Sequence, residues 1–151
     1  MATIFHQVLI DAPIETVYNN ITTQDGLSQW WIADCTVQPE LGFINEFRVE
    51  GIGSNRMKVV NLKSNQNVTW ECLNDKDDWT GTHVSFELST RGSLTCLNFR
   101  HIGYKEQNEI FATCNYHWAR HLSMLKWLCE TGTSVLNSQQ EKKEIAAVHH
   151  H

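Results

Sequence analysis

Apolar and polar positions along this chain follow two rhythms, one of period two and one close to 3.6. Residues 3–10 are an apolar run rich in β-branched side chains and read as a strand. Asp11-Ala12-Pro13 ends it. Pro13 suits the first position of a helix, where the amide it lacks would go unpaired. Ile14, Val17, Tyr18 and Ile21 then recur at three, four and seven, one face of a short amphipathic helix. Thr22-Thr23 breaks that helix. A second short helix, about residues 24–31, ends in Trp30-Trp31.

The middle of the chain alternates. In residues 43–49, Phe43, Asn45, Phe47 and Val49 fall on one face. In 68–72 the set is Val68, Trp70 and Cys72; in 84–88 it is Val84, Phe86 and Leu88. In 95–101 it is Thr95, Leu97, Phe99 and His101. Such segments predict a sheet with one buried and one wet face. Residues 50–55, 64–67 and 90–93 read as hairpin turns. Residues 56–63 read as a strand as well, with Val60 and Leu62 competing with Met57 and Val59 for the inner face.

A long helix is predicted over about 109–130, with Asn108 as N-cap and Gly132 as stop. Phe111, Asn115, Trp118, Leu122, Leu125 and Cys129 form one stripe, roughly 30 Å long at ~1.5 Å per residue. The order is therefore β, α, α, a run of about six antiparallel strands, and one long helix. A sheet with an apolar face must cover it, and this helix is the element long and apolar enough to do so. The expectation is an α+β helix-grip fold: six or seven strands curved around the C-terminal helix. One domain over residues 1–132 is followed by a polar tail, 133–151, whose His149-His150-His151 looks like part of a tag.

Bulk composition narrows the partners. The 151 residues carry a net charge of −5 with no Lys/Arg cluster, which argues against nucleic acid. No stretch approaches the ~20 apolar residues of a membrane span, and residues 1–10 lack the features of a signal peptide. Cys35, Cys72, Cys96, Cys114 and Cys129 are odd in number and show no CxxC spacing. They read as small buried hydrophobes in a reducing cytoplasm, with no cofactor and no metal implied.

Three segments carry a family resemblance over about residues 3–132. The run Ile10-Asp11-Ala12-Pro13-Ile14-Glu15-Thr16-Val17-Tyr18 resembles the entry segment of SRPBCC, or START-like, proteins. Leu27-Ser28-Gln29-Trp30-Trp31 resembles the end of their second helix. Trp118 to Lys126, followed by Glu130-Thr131-Gly132, resembles their final helix. The pattern is closest to the branch related to the activator of the heat-shock chaperone ATPase, with polyketide cyclase-like relatives beside it. Where relatives often carry Pro-Gly-Gly, this chain has Pro39-Glu40-Leu41-Gly42. The resemblance implies a helix-grip fold with an internal cavity, and no single activity, because the fold hosts carriers, receptors, cyclases and chaperone cofactors.

Candidate chemistry is sparse. Trp31, Phe47, Trp70, Phe86, Phe99 and Trp118 are expected on the inner face, together with Trp30, and are read as core or as ligand lining. His6, Asn45 and His101 share that face by parity. Each is either a satisfied core polar group or an anchor for a largely apolar ligand. Trp79 sits in a loop and is a candidate cap for the pocket mouth. His117 and His121 lie one turn apart, but Trp118 stands where a metalloprotease motif needs Glu, and both are expected on the helix flank. Neither a nucleophile–base order nor a close carboxylate pair stands out. The leading expectation is non-catalytic binding of a small hydrophobic or aromatic molecule. The alternatives are a chaperone-cofactor role and, with less support, a cyclase- or hydrolase-type enzyme using His101 or His6. Tyr116, Arg120 and Trp127 project from the far side of the long helix and are a candidate homodimer contact.

Overall fold

The computed structural model describes residues 1–136. The elements run β1 (Ala2–Ile10), α1 (Ile14–Thr22), α2 (Gln24–Trp30), β2 (Cys35–Thr36), β3 (Ile44–Val49), β4 (Gly53–Lys63), β5 (Asn67–Cys72), β6 (His83–Arg91), β7 (Leu94–Tyr104) and α3 (Glu109–Thr131). The strands form one antiparallel sheet in the order β1-β7-β6-β5-β4-β3-β2. Consecutive strands are neighbours except at β1, which closes against the last strand. β1 and β2 are therefore the two edges. This is the helix-grip arrangement that the alternation and the long stripe predict. The two-residue β2 carries no alternation long enough to be read in advance. The expected tail, from residue 137 on, lies outside the described residues.

Local chemistry sets the helix ends. Thr23 separates α1 from α2 and accepts the Gly26 amide at 3.0 Å. Asn108 caps α3 by accepting from Phe111 N at 2.9 Å, and Gly132 ends it in the left-handed conformation. A Cβ on Gly26 would stand 2.4 Å from the Asn20 Cα, so glycine is what lets α1 and α2 approach.

The competing signals in β4 are each partly met: Met57, Val59 and Leu62 turn inward, and Val60 is exposed. Val59 pairs with Trp70 but Asn61 pairs with Thr69, so Val60 is an extra residue in a β-bulge. Met57 and Val59 face the core before it, and Leu62 packs against the core after it, opposite Val68.

The stripe on α3 needs correction. Asn115 is exposed and Cys129 only half-buried, while Cys114, His121 and Leu128 are buried with Phe111, Trp118, Leu122 and Leu125. α1 and α2 pack on the helix as well as β1, so the covered arc is wider than one stripe. His121 is accordingly a buried residue, not a flank residue as expected, and only His117 is half-buried.

Candidate functional site

The inner face of the sheet and α3 meet through aromatic rings. Trp31, at the end of α2, lies 4.4 Å from Phe47, 5.9 Å from Trp70, 6.3 Å from Trp79 and 5.0 Å from Trp118, centroid to centroid. Trp70 meets Phe86 edge-on at 5.1 Å, and Phe99 meets Phe86 and Trp118 at 5.2 and 4.5 Å. Trp30, Phe47, Trp70, Phe86 and Phe99 are fully buried. The residues expected to line an interior thus come together, from four strands and two helices, and touch one another. Offset and edge-on ring pairs add about 0.5–1.5 kcal/mol each beyond area burial.

Trp79 belongs to this cluster although it stands in the β5–β6 connection. The turn that holds it is built on buried Asn74. That side chain accepts from Arg56 N at 2.8 Å and donates to Asn55 and Asp77 at 2.9 Å each. Asp77 in turn accepts from the Trp79 amide at 2.8 Å. Asp77 is thus the acceptor that shapes the turn carrying the indole inward.

His101 sits below the rings with no exposed surface. The indole of Trp118 can only donate, and its Nε1 is 3.0 Å from His101 Nδ1. That nitrogen is therefore the unprotonated one, and Nε2 carries the hydrogen. Nε2 faces Thr82 Oγ1 at 2.8 Å, and Thr82 donates its own hydrogen to the Trp79 carbonyl at 2.6 Å. The chain of donors is consistent throughout. Tyr104 Oη lies 3.0 Å from the same Nδ1. Burial lowers the His101 pKa to about 3, so the ring is neutral near pH 7. Burial also pushes the Tyr104 hydroxyl and the neighbouring Cys114 thiol upward.

Thr82 and Tyr104 are partners that sequence reading missed. Tyr104 lies three residues after His101, on the opposite face of a regular strand. Gly103, at φ 103°, is the irregular residue that turns it inward: Ala2 pairs with Tyr104 but Thr3 with Ile102. A glycine inside a strand pattern was the available signal. Nothing in the sequence marks Thr82.

Asn45 is buried and accepts from Gln38 N at 3.2 Å, which ties β3 to the segment before it. His6 lies on the inner side of β1, stacked at 6.4 Å on Phe99. Its Nε2 and the Nε1 of Trp70 are buried without a hydrogen-bond partner among the described residues. No group of three or more metal-binding side chains occurs among the described residues, and His117 and His121 stand with ring centroids 6.5 Å apart. All five cysteines are free thiols.

Outside, Tyr116 is 58% and Trp127 51% exposed on α3, with the Arg120 guanidinium 5.8 Å from the Tyr116 ring. A groove of about 430 Å³ runs between residues 1–5 and Gln107, Phe111 and Asn115. No described helix is long and apolar enough to cross a membrane.

Comparison with known proteins follows the same outline. The family model described as "Activator of Hsp90 ATPase homolog 1-like protein" matches residues 11–130. A search of curated proteins finds no match. Among solved structures, the Aha1 dimer from Colwellia psychrerythraea is 35% identical, with a TM-score of 0.81, over 87% of this chain and 98% of that one. CalU16 from Micromonospora echinospora is 18% identical, TM-score 0.70, over 97% and 83%. DynU16, a putative protein in the dynemicin biosynthetic locus, is 16% identical, TM-score 0.75, over 87% and 48%. The last two share the fold.

Proposed function

Because the chain belongs to the family of activator of Hsp90 ATPase homolog 1-like proteins, we propose that it is a non-catalytic binding domain, acting as a homodimer on a protein partner of the heat-shock chaperone ATPase class. The observation that supports this reading is the ring cluster in the interior. Phe47, Trp70, Trp79 and Trp118 all pack on the Trp31 ring inside the grip, and both nitrogens of His101 are engaged within the fold. With these groups engaged by one another, recognition is assigned to the surface. The dimer follows the Colwellia relative, which is solved as one. Tyr116, Arg120 and Trp127, expected from the sequence as a homodimer contact and of types that dominate interface hot spots, are assigned in this reading to the chaperone instead.

The test is the ATP hydrolysis rate of a purified Hsp90-type chaperone with this protein added. Wild type is expected to raise the rate several-fold, and Trp127→Glu to lose that effect while keeping its melting temperature. An unchanged rate, together with no binding at about 100 µM chaperone, removes the reading.

A second reading has its own support. The unpartnered Trp70 Nε1 and His6 Nε2 are buried donors or acceptors on the inner face, each costing about 1–3 kcal/mol if left unmet. A small hydrophobic or aromatic molecule with a polar atom, packed among the inner-face rings of Trp31, Phe86 and Phe99, would give one of these two groups a partner. An environment-sensitive dye that binds native protein at about one per chain and quenches its tryptophans supports this reading. Absence of dye binding, and of displacement by hydrophobic competitors, counts against it.

A further inference from the structure

The two edges of the sheet are guarded very differently. β2 is two residues long and follows Asp34, which is ion-paired with Arg48 at 3.0 Å. Short edges bearing charge resist pairing with another chain. β1 is nine residues long, with the sequence ATIFHQVLI. It has no Asp, Glu, Lys, Arg, Pro or Gly, and it is rich in good strand formers.

Half of that edge is covered. The Leu9 carbonyl accepts from the Lys126 ammonium, and the Asp11 amide donates to the Glu130 carboxylate at 2.8 Å. Both groups therefore point away from β7, toward α3. Backbone direction alternates along an antiparallel strand, so the N–H and C=O of Phe5 and Gln7 face the same way, and Thr3 continues the series. No described residue takes these groups up. Here α3 stands clear of the strand, leaving the groove bounded by Gln107, Phe111 and Asn115. On the outer face, the Phe5 ring is 52% exposed beneath the Arg100 guanidinium, 4.4 Å from its centroid.

We propose that the open half of β1, Thr3 to Gln7, is the dimer interface: it pairs antiparallel with the same segment of a second copy and joins two sheets into one. The inference rests on the dimeric reading above. A two-fold axis makes the contact self-complementary. With the axis at Phe5, that residue exchanges N–H and C=O with Phe5 of the second copy, and Thr3 does so with Gln7. An axis at Gln7 would need the Leu9 carbonyl, which Lys126 already holds. An axis at Ile4 or His6 would pair only two of the three open residues, so the Phe5 axis is the one that pairs Thr3, Phe5 and Gln7 solely with one another. The two Phe5 rings then meet on the outer face as a directly opposed aromatic pair, an arrangement that stabilises antiparallel strands. Tyr116 and Trp127, exposed on α3, lie outside this strand contact.

The experiment combines sedimentation with amide hydrogen exchange on full-length protein. Wild type is expected to be a dimer whose Phe5 and Gln7 amides are protected, with protection falling on dilution. Phe5→Glu, which sets two like charges opposite each other while retaining Arg100 as a neighbour, weakens self-association about tenfold or more, a change of ~1.4 kcal/mol. Trp127→Glu leaves the dimer intact. A dimer whose Phe5 and Gln7 amides exchange freely overturns the edge proposal and keeps the dimeric reading. So does a dimer dissociated by Trp127→Glu and not by Phe5→Glu. A wild-type monomer at high micromolar concentration removes both.

Discussion

The indole N–H of Trp118 donates to Nδ1 of His101 across 3.0 Å, and so joins the middle of the long helix to the last strand. Because an indole nitrogen cannot accept, this single bond sets the tautomer of a buried histidine. It also gives the ring a reason to stay neutral, since protonated Nδ1 would face a donor.

A pH dependence follows. The folded-state pKa of His101 lies at about 3, below the ordinary value of 6.5. Between those two values the unfolded chain binds a proton that the folded chain refuses. The contribution is therefore complete above about pH 6.5 and is lost as pH falls toward about 3, at up to ~1.4 kcal/mol per pH unit. Denaturant melts of wild type and His101→Gln across this range test it. The variant is expected to lose about one proton's worth of slope, and equal slopes would mean the ring takes up its proton while folded.

Leu122 is buried in the core cluster. Leu122→Ala is expected to cost ~2–5 kcal/mol, the range for a buried leucine that leaves a cavity. A loss below about 1 kcal/mol would show that α3 is rotated away from the orientation described.

Gly26→Ala reverses a familiar rule. Alanine favours helix by about 1 kcal/mol over glycine. Here, however, its Cβ would meet the backbone of Asn20 at 2.4 and 2.8 Å, which no side-chain rotation relieves. A net destabilisation of about 1–3 kcal/mol is expected from thermal melts. A stabilised variant would show that α1 and α2 are farther apart.

Asn74→Ala deprives the Arg56 amide of its acceptor and the Asn55 and Asp77 side chains of their donor. The expected cost is about 1–3 kcal/mol. The loop carrying Trp79 should loosen with it. Acrylamide quenching should then reach a tryptophan that is shielded in wild type, and unchanged quenching would separate this turn from the placement of the indole.

Much of the fold was legible from local rhythm. Alternation at Phe47, Trp70, Phe86 and Phe99 put these rings on one face, and one face of a covered sheet is its core. The Asn108 cap and the Gly132 stop were readable because each depends on its own residue and the next few. What period alone could not supply was the place where a period breaks. Val60 and Gly103 each insert a residue, and beyond them the inward set changes parity; the first admits Leu62 toward the core, the second Tyr104. Nor does a helical stripe say how wide its cover is. That His121 and Cys114 are buried while Asn115 is not depends on how α3 sits against the sheet and the two short helices. The partners of His101 come from Thr82, Tyr104 and Trp118, on three separate segments. The sequence by itself determined which residues turn inward, because that is a matter of φ, ψ and spacing over a few positions. Only the tertiary structure decided which of them meet, because a hydrogen bond between distant segments depends on strand register, bulges and helix rotation together, and these are set by the packing of the whole domain.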